Sequence, residues 1–207
     1  MDERVQLVEG AKTLGLGLEP AAVDRLFRLL DELSRWNEAY NLTAIVDRPG
    51  MLTHHLLDSL AIHADVQGER VADVGTGAGF PGLPLAIVAP DRQYTLIDSN
   101  NKKVRFVAHV ARVLGLTNVS AVHSRVENLD TSEPFDTVMA RAFASLPDII
   151  ARVSPISGSA TRVLAMKGRM PDDEMAALPA GWRIAEARPL AVPGLAEARS
   201  LIVIERV

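Results

Sequence analysis

Arg70-Val71-Ala72-Asp73-Val74-Gly75-Thr76-Gly77-Ala78-Gly79-Phe80-Pro81-Gly82 is the stretch on which the reading of this chain turns. Its first five residues read as a strand, and the glycines that follow let the backbone turn tightly and let a ligand approach it closely. A helix is expected to begin near Pro81 or Pro84, since proline fits the first turn. Glycine spacing narrows the ligand. A dinucleotide fingerprint needs the register G-x-G-x-x-G, and its third glycine would fall on Phe80. The register present is Gly75, Gly77, Gly79, and no Lys-Ser or Lys-Thr follows it, which excludes a P-loop. Asp73, just before the loop, is poorly suited to a pyrophosphate and well suited to a cationic amino-acid ligand. Asp98 closes the next strand, beside the point where the loop emerges, and a carboxylate there can accept hydrogen bonds from both hydroxyls of a ribose. S-adenosylmethionine carries an ammonium, a sulfonium and no phosphate. Asp73, the glycine loop and Asp98 together therefore predict a site for it, and methyl transfer as the activity.

Outward from this segment the hydrophobic period changes. Upstream, Leu26, Leu29, Leu30, Leu33, Trp36 and Tyr40 recur at helical steps over residues 24–40, after a Glu19-Pro20 entry. A second helix is expected over 49–64, with Leu52, Leu56, Leu57 and Leu60 on its buried side. Downstream, short β-branched runs at 93–97, 119–123, 135–140 and 162–166 alternate with helical stretches at 102–114, ending at Gly115, and at 146–153. Alternation of this kind gives βαβ units and a mostly parallel, doubly wound α/β sheet of the Rossmann-like class. Runs at 182–188 and 200–205 have only a Pro/Gly-containing loop between them, so they are expected to be an antiparallel pair. The chain thus divides into a helical N-terminal extension, 1–66, packed on a methyltransferase domain, 67–207.

Composition excludes several classes. There is no cysteine, hence no disulfide framework, thiolate metal site or cysteine nucleophile. None of the five histidines (54, 55, 63, 109 and 123) has companions at metal-ligand spacing, so no metal is expected. Apolar runs are too short to span a bilayer and the first residues are acidic rather than signal-like, so a cytoplasmic location without membrane contact is expected. Net charge is −4, but it is unevenly spread. Residues 1–70 carry 7 Lys/Arg against 12 Asp/Glu, whereas 91–128 carry 6 against 3. The basic segment is either a face for an anionic ligand or a solvated helix face.

Further residues carry a family resemblance. The loop, followed by Leu96-Ile97-Asp98-Ser99 and Lys103-Val104-Arg105-Phe106, resembles the bacterial small-subunit ribosomal RNA guanine-N7 methyltransferases, also called glucose-inhibited division protein B. Trp36-Asn37, Tyr40-Asn41-Leu42-Thr43 and His55-Leu56-Leu57-Asp58-Ser59 match upstream, and Ser124-Arg125-Val126-Glu127, Arg141-Ala142-Phe143-Ala144-Ser145-Leu146 and Lys167-Gly168 match downstream. The resemblance spans roughly residues 30–205. Asn100-Asn101 departs from the pattern, and the first 18 residues carry no family signature. It implies a monomer that uses S-adenosyl-L-methionine, releases S-adenosyl-L-homocysteine, and methylates N7 of a single guanine in 16S rRNA, on the 30S subunit or an assembly intermediate. Gly75, Phe80, Val126, Glu127 and Arg141 carry over as cofactor contacts. With the residues read above, the expected cofactor set is Asp73, Gly75, Gly77, Gly79, Phe80, Asp98, Ser99, Val126, Glu127 and Arg141.

Several roles stay open at this level. Val126 can pack on the adenine ring, whereas Glu127 can merely cap a short helix. Arg141, the candidate catalytic positioning residue, can bond guanine O6, stack on a base, clamp a phosphate or brace the cofactor's carboxylate. Lys102, Lys103, Arg105, Ser145, Lys167 and Arg169 are candidate RNA contacts, with a solvated side chain as the alternative. His55, Asp58 and Ser59 share a helical face that packs on the Gly75 loop or reaches RNA. Phe143 either stacks on a flipped base or is buried. The rival functions are a nicotinamide dehydrogenase, which Phe80 opposes, a cofactor-binding assembly factor without activity, and a methyltransferase for another substrate.

Overall fold

The computed structural model describes residues 2–141 and 144–207. One mixed sheet of seven strands organises it: β1 Arg70–Val74, β2 Gln93–Asp98, β3 Val119–His123, β4 Phe135–Arg141, β5 Ser157–Lys167, β6 Trp182–Pro189 and β7 Ser200–Arg206. Their order is β3-β2-β1-β4-β5-β7-β6. The first five run parallel, and β7 is antiparallel to both β5 and β6. The expected antiparallel pair is present. Its later member inserts between β5 and β6, a placement that hairpin logic alone does not reveal.

Strand residues alternate between two apolar layers. On one face Val71, Met139, Leu201 and Val203 join the helices before β1 together with α5 (Gly82–Val88) and α6 (Asn101–Leu114). On the other, Ala72, Val74, Val138, Ala140, Ile202 and Ile204 pack under α7 (Leu146–Val153). Nearly every strand residue of β1 is buried, as expected of a strand covered on both sides. The N-terminal helices share the first of these cores, through Leu7, Leu26, Leu30, Leu33 and Leu56.

That N-terminal part contains α1 (Glu3–Thr13), which lies within the helical extension expected over 1–66 but was given no bounds of its own, and α2 (Pro20–Tyr40). Pro20 sits in the first turn of α2, and Asn41 ends it in the left-handed conformation (φ 51°). The helix expected over 49–64 is interrupted. It runs as α3 (Arg48–Met51), a π-helical turn Leu52–Leu57, α4 (Asp58–Leu60) and a 3-10 turn His63–Asp65. The wider π turn keeps Leu52, Leu56 and Leu57 buried while burying His55 as well. A further short helix, α8 (Asp172–Ala176), follows β5. Among the described residues no helix is long and apolar enough to cross a membrane, and no His/Cys/Asp/Glu group could hold a metal.

A candidate cofactor and substrate site

The site lies at the carboxyl ends of β1, β2, β4 and β5, flanking the point where the strand order reverses. The loop leaving β1 is built on left-handed glycines: Gly75 (φ 67°), Gly77 (φ 62°) and Gly79 (φ 86°). Their roles differ. At Gly77 a Cβ would meet nothing nearer than the Gly75 carbonyl at 4.0 Å, so it would stand in the open cavity. At Gly79 it would come within 2.2 Å of Leu83 Cδ1, so this glycine serves the packing of loop on helix.

Five of the loop's amides are already used. Gly75 and Thr76 N–H donate to the Ile97 carbonyl, Gly77 N–H to Asp98 Oδ2, and Gly79 and Phe80 N–H to the Thr76 carbonyl. A phosphate cradle needs such groups free and convergent. This loop offers Cα surface instead, which suits a nucleoside without phosphate and disfavours a dinucleotide.

Asp73 lies beneath the loop, 1% exposed. Its Oδ2 accepts from Thr76 Oγ1 at 2.6 Å and Gly82 N–H at 2.9 Å, while Oδ1 has no hydrogen-bond partner among the described residues. Burial pushes its pKa up to about 6, against the pull of the Thr76 and Gly82 hydrogen bonds. The direct ammonium contact expected of Asp73 is not what its position offers: the side chain organises the loop and lines neither cavity described next.

Two cavities of about 490 and 470 Å³ meet at Gly75 and Lys103, which line both. The second is lined by Asp98, Ser99, Val126 and Glu127, four of the residues expected to hold the cofactor. Asp98 accepts Gly77 N–H at 2.9 Å and Asn100 N–H at 2.8 Å, one on each oxygen, and each oxygen keeps a further lone pair for a hydroxyl. Val126 is buried at the start of a 3-10 turn. Glu127 lies inside that turn, not at its cap, and faces Arg152 at 3.9 Å. These features fit a ribose and an adenine edge.

The first cavity contains Leu42, Thr43, His55, Asp58, Phe80 and Arg141. Asp58, 1% exposed, holds Arg141 Nη1 on Oδ2 at 3.0 Å and Arg199 Nε on Oδ1 at 3.2 Å. Arg141 also donates to the His54 carbonyl and passes over the Phe80 ring at 5.8 Å. It therefore ties β4 to the helices before β1. Arg199 and Thr43 were not among the expected site residues. Arg199 lies 141 positions from its carboxylate, and no local pattern marks it. His55 stacks on Phe80 with ring centroids 4.6 Å apart, and its Nε2 meets Thr43 Oγ1 at 3.0 Å. Burial, with the charge of Arg141 beside it, lowers its pKa to about 4, so the ring is neutral at pH 7. His55, Asp58 and Ser59 are buried, which favours the packing role over direct RNA contact.

The candidate RNA residues separate by environment. Lys102, Arg105 and Arg169 are exposed. Lys103 lies 3.9 Å from Asp98 and lines both cavities, so it belongs to the site. Lys167 is not a free phosphate lysine, because its ammonium is held by the Ala144 carbonyl and by Glu174, both at 2.7 Å. Ser145 caps α7 through the Asp148 amide. Phe143, the stacking candidate, lies outside the described residues.

Comparison with known proteins bears on the family and the fold. A family model described as rRNA small subunit methyltransferase G matches residues 23–203. The ribosomal RNA small subunit methyltransferase G of Erwinia tasmaniensis is 45% identical over 201 residues, covering 97% of this chain and 98% of that one. Its counterpart in Pseudomonas paraeruginosa is 46% identical over 203 residues, covering 97% and 94%. Among solved structures, TrmN from Thermus thermophilus aligns with a TM-score of 0.59 at 20% identity, over 75% of this chain and 53% of its own. A methyltransferase from Thiobacillus denitrificans in complex with S-adenosyl-L-homocysteine aligns with 0.55 at 12%, over 84% and 98%. At those identities the likeness concerns the fold alone: a Rossmann-like methyltransferase sheet. The sequence relatives reach further, and the chain belongs to the rRNA small subunit methyltransferase G family.

Proposed function

We propose that the chain methylates N7 of a guanine in 16S rRNA, using S-adenosylmethionine and releasing S-adenosylhomocysteine. When bound, the cofactor supplies an electrophilic methyl group on a sulfonium. Asp98 and Glu127 would hold its ribose, with Val126 against the adenine.

The observation that carries the reading is the meeting of two cavities at Gly75 and Lys103, one lined for a nucleoside and one for a base. Among the described residues, the cavity for the base offers no strong general base. His55 is held neutral with its Nε2 engaged by Thr43, and Asp58 is held between two guanidinium groups. Guanine N7 presents a lone pair that needs no deprotonation, so a site that orients without removing a proton suits it. Arg141 and Arg199 keep further N–H donors beyond those on Asp58, available to guanine O6 or a neighbouring phosphate.

The test is incubation with labelled S-adenosylmethionine and 16S rRNA, both protein-free and as small subunits, followed by nucleoside analysis. Label in 7-methylguanosine is the expected result. Cofactor binding without transfer to either form of RNA overturns the proposal.

A further inference from the structure

The pairing of α2 with α6 leaves one aromatic side chain in an exposed place. The helices run antiparallel in steps of a turn: Arg28 donates to the Val113 carbonyl at 3.1 Å, Glu32 meets His109 Nε2 at 2.8 Å, and the Trp36 ring lies 5.6 Å from that of Phe106. The next turn of α2, about 5 Å further along its axis, ends at Tyr40. The same register carries Tyr40 toward the first turn of α6, where Lys102 and Arg105 are exposed. The chain then turns at Asn41, and its next residues, Leu42 and Thr43, line the base-sized cavity together with Lys103. Tyr40 thus precedes the cavity-lining Leu42 by two residues, and the helix register aims it at the basic first turn of α6. Trp36 backs its ring at 5.2 Å, yet the residue remains 37% exposed, the only aromatic among the exposed large apolar residues described.

Resting on the RNA reading above, we propose that Tyr40, flanked by Lys102 and Arg105, is a stacking platform for an unpaired base adjacent to the one in the cavity. Two features point to nucleic acid. The ring is supported from one side by an indole, which holds it in place as a stacking surface must be held. Lys102 and Arg105, exposed on the α6 turn that the register brings toward it, put two cations on that side on a chain of net charge −4, complementary to a backbone that carries one phosphate per base. Aromatic rings beside cations are how single-stranded RNA is gripped without reading its sequence.

The experiment uses the full chain with unmethylated small subunits and reads KM, kcat and, separately, the Kd for S-adenosylhomocysteine. Tyr40→Ala is expected to raise KM for the subunits on the order of tenfold, with kcat and cofactor Kd within about twofold. Tyr40→Phe, which keeps the ring, is expected to behave as the unmodified chain, and melting curves of both variants report their folding. An unchanged KM in a folded Tyr40→Ala overturns the platform, and so does a Phe variant as impaired as the Ala variant. A defect seen with subunits but absent from binding to protein-free rRNA would place a ribosomal protein on Tyr40, which also overturns it. The unmodified chain separates the two proposals: no label transferred by it sinks the RNA reading and the platform together, whereas normal transfer with an insensitive Tyr40 sinks the platform alone.

Discussion

Asp73 and Gly79 owe their importance to the loop that they hold in place. Because burial raises the Asp73 pKa to about 6 from the ordinary 3.8, its contribution to stability is present below about pH 4 and is lost as pH rises to about 6. Asp73→Asn removes that titration and offers an amide where Oδ1 is unpartnered. Relative to the variant, the unmodified chain should lose up to about 3 kcal/mol across this window, measured by denaturant unfolding at a series of pH values. The glycines make a paired test. Gly79→Ala combines a left-handed backbone with a 2.2 Å clash and should cost more than about 3 kcal/mol. Gly77→Ala meets open space, so its cost should be about 1–2 kcal/mol of backbone strain, with a larger loss in S-adenosylhomocysteine affinity by calorimetry. The positions of these residues were legible because strand, glycine register and following proline are local features. What was not legible was the division of labour among them. Which glycine faces a ligand and which faces Leu83 depends on a helix packed against the loop.

Among the elements, the interrupted helix over 48–60 is the part on which the site leans. Asp58, at its α4 turn, pins β4 through Arg141 and the segment before β7 through Arg199. Asp58→Ala would leave two partly buried guanidinium groups without their carboxylate, each keeping one backbone carbonyl. It should cost about 2–3 kcal/mol, read by denaturant unfolding. The period of Leu52, Leu56, Leu57 and Leu60 reads equally well as an uninterrupted helix, so the π turn was invisible in the sequence. The bounds of α1 escaped notice for a different reason: only Leu7, Gly10 and Ala11 of it are buried, too few to set a period. Six strands were readable to within a residue at each end, the inner ones because a strand covered on both faces demands a continuous apolar run, whereas β5 starts at Ser157, ahead of the run expected at 162–166, because its first residues are polar or small. The Asp58 cluster joins residues 83 and 141 positions apart, and only the completed sheet brings them together.

For the molecule as a whole, charge separates its two ligand interests. Lys102 is exposed, whereas Lys103 lines both cavities beside Asp98. Lys102→Ala should therefore reduce the slope of log affinity for RNA against log salt by roughly 0.7–0.9, leaving cofactor affinity unchanged. Lys103→Ala should weaken both ligands. Equilibrium binding at several salt concentrations, with and without S-adenosylhomocysteine, distinguishes them.

The position of β7 has a bearing on biosynthesis. Of the sheet's seven strands it is the last to leave the ribosome, yet it occupies an interior place between β5 and β6. Until Ser200–Arg206 emerges, β5 presents a bare edge from Arg162 to Lys167, and β6 has no neighbour to pair with. Domains whose inner strands are made early can consolidate while still being translated. This one must wait, holding an open, adhesive edge in the meantime. A translating ribosome stalled before codon 200 should expose a chain that chaperones hold and proteases cut.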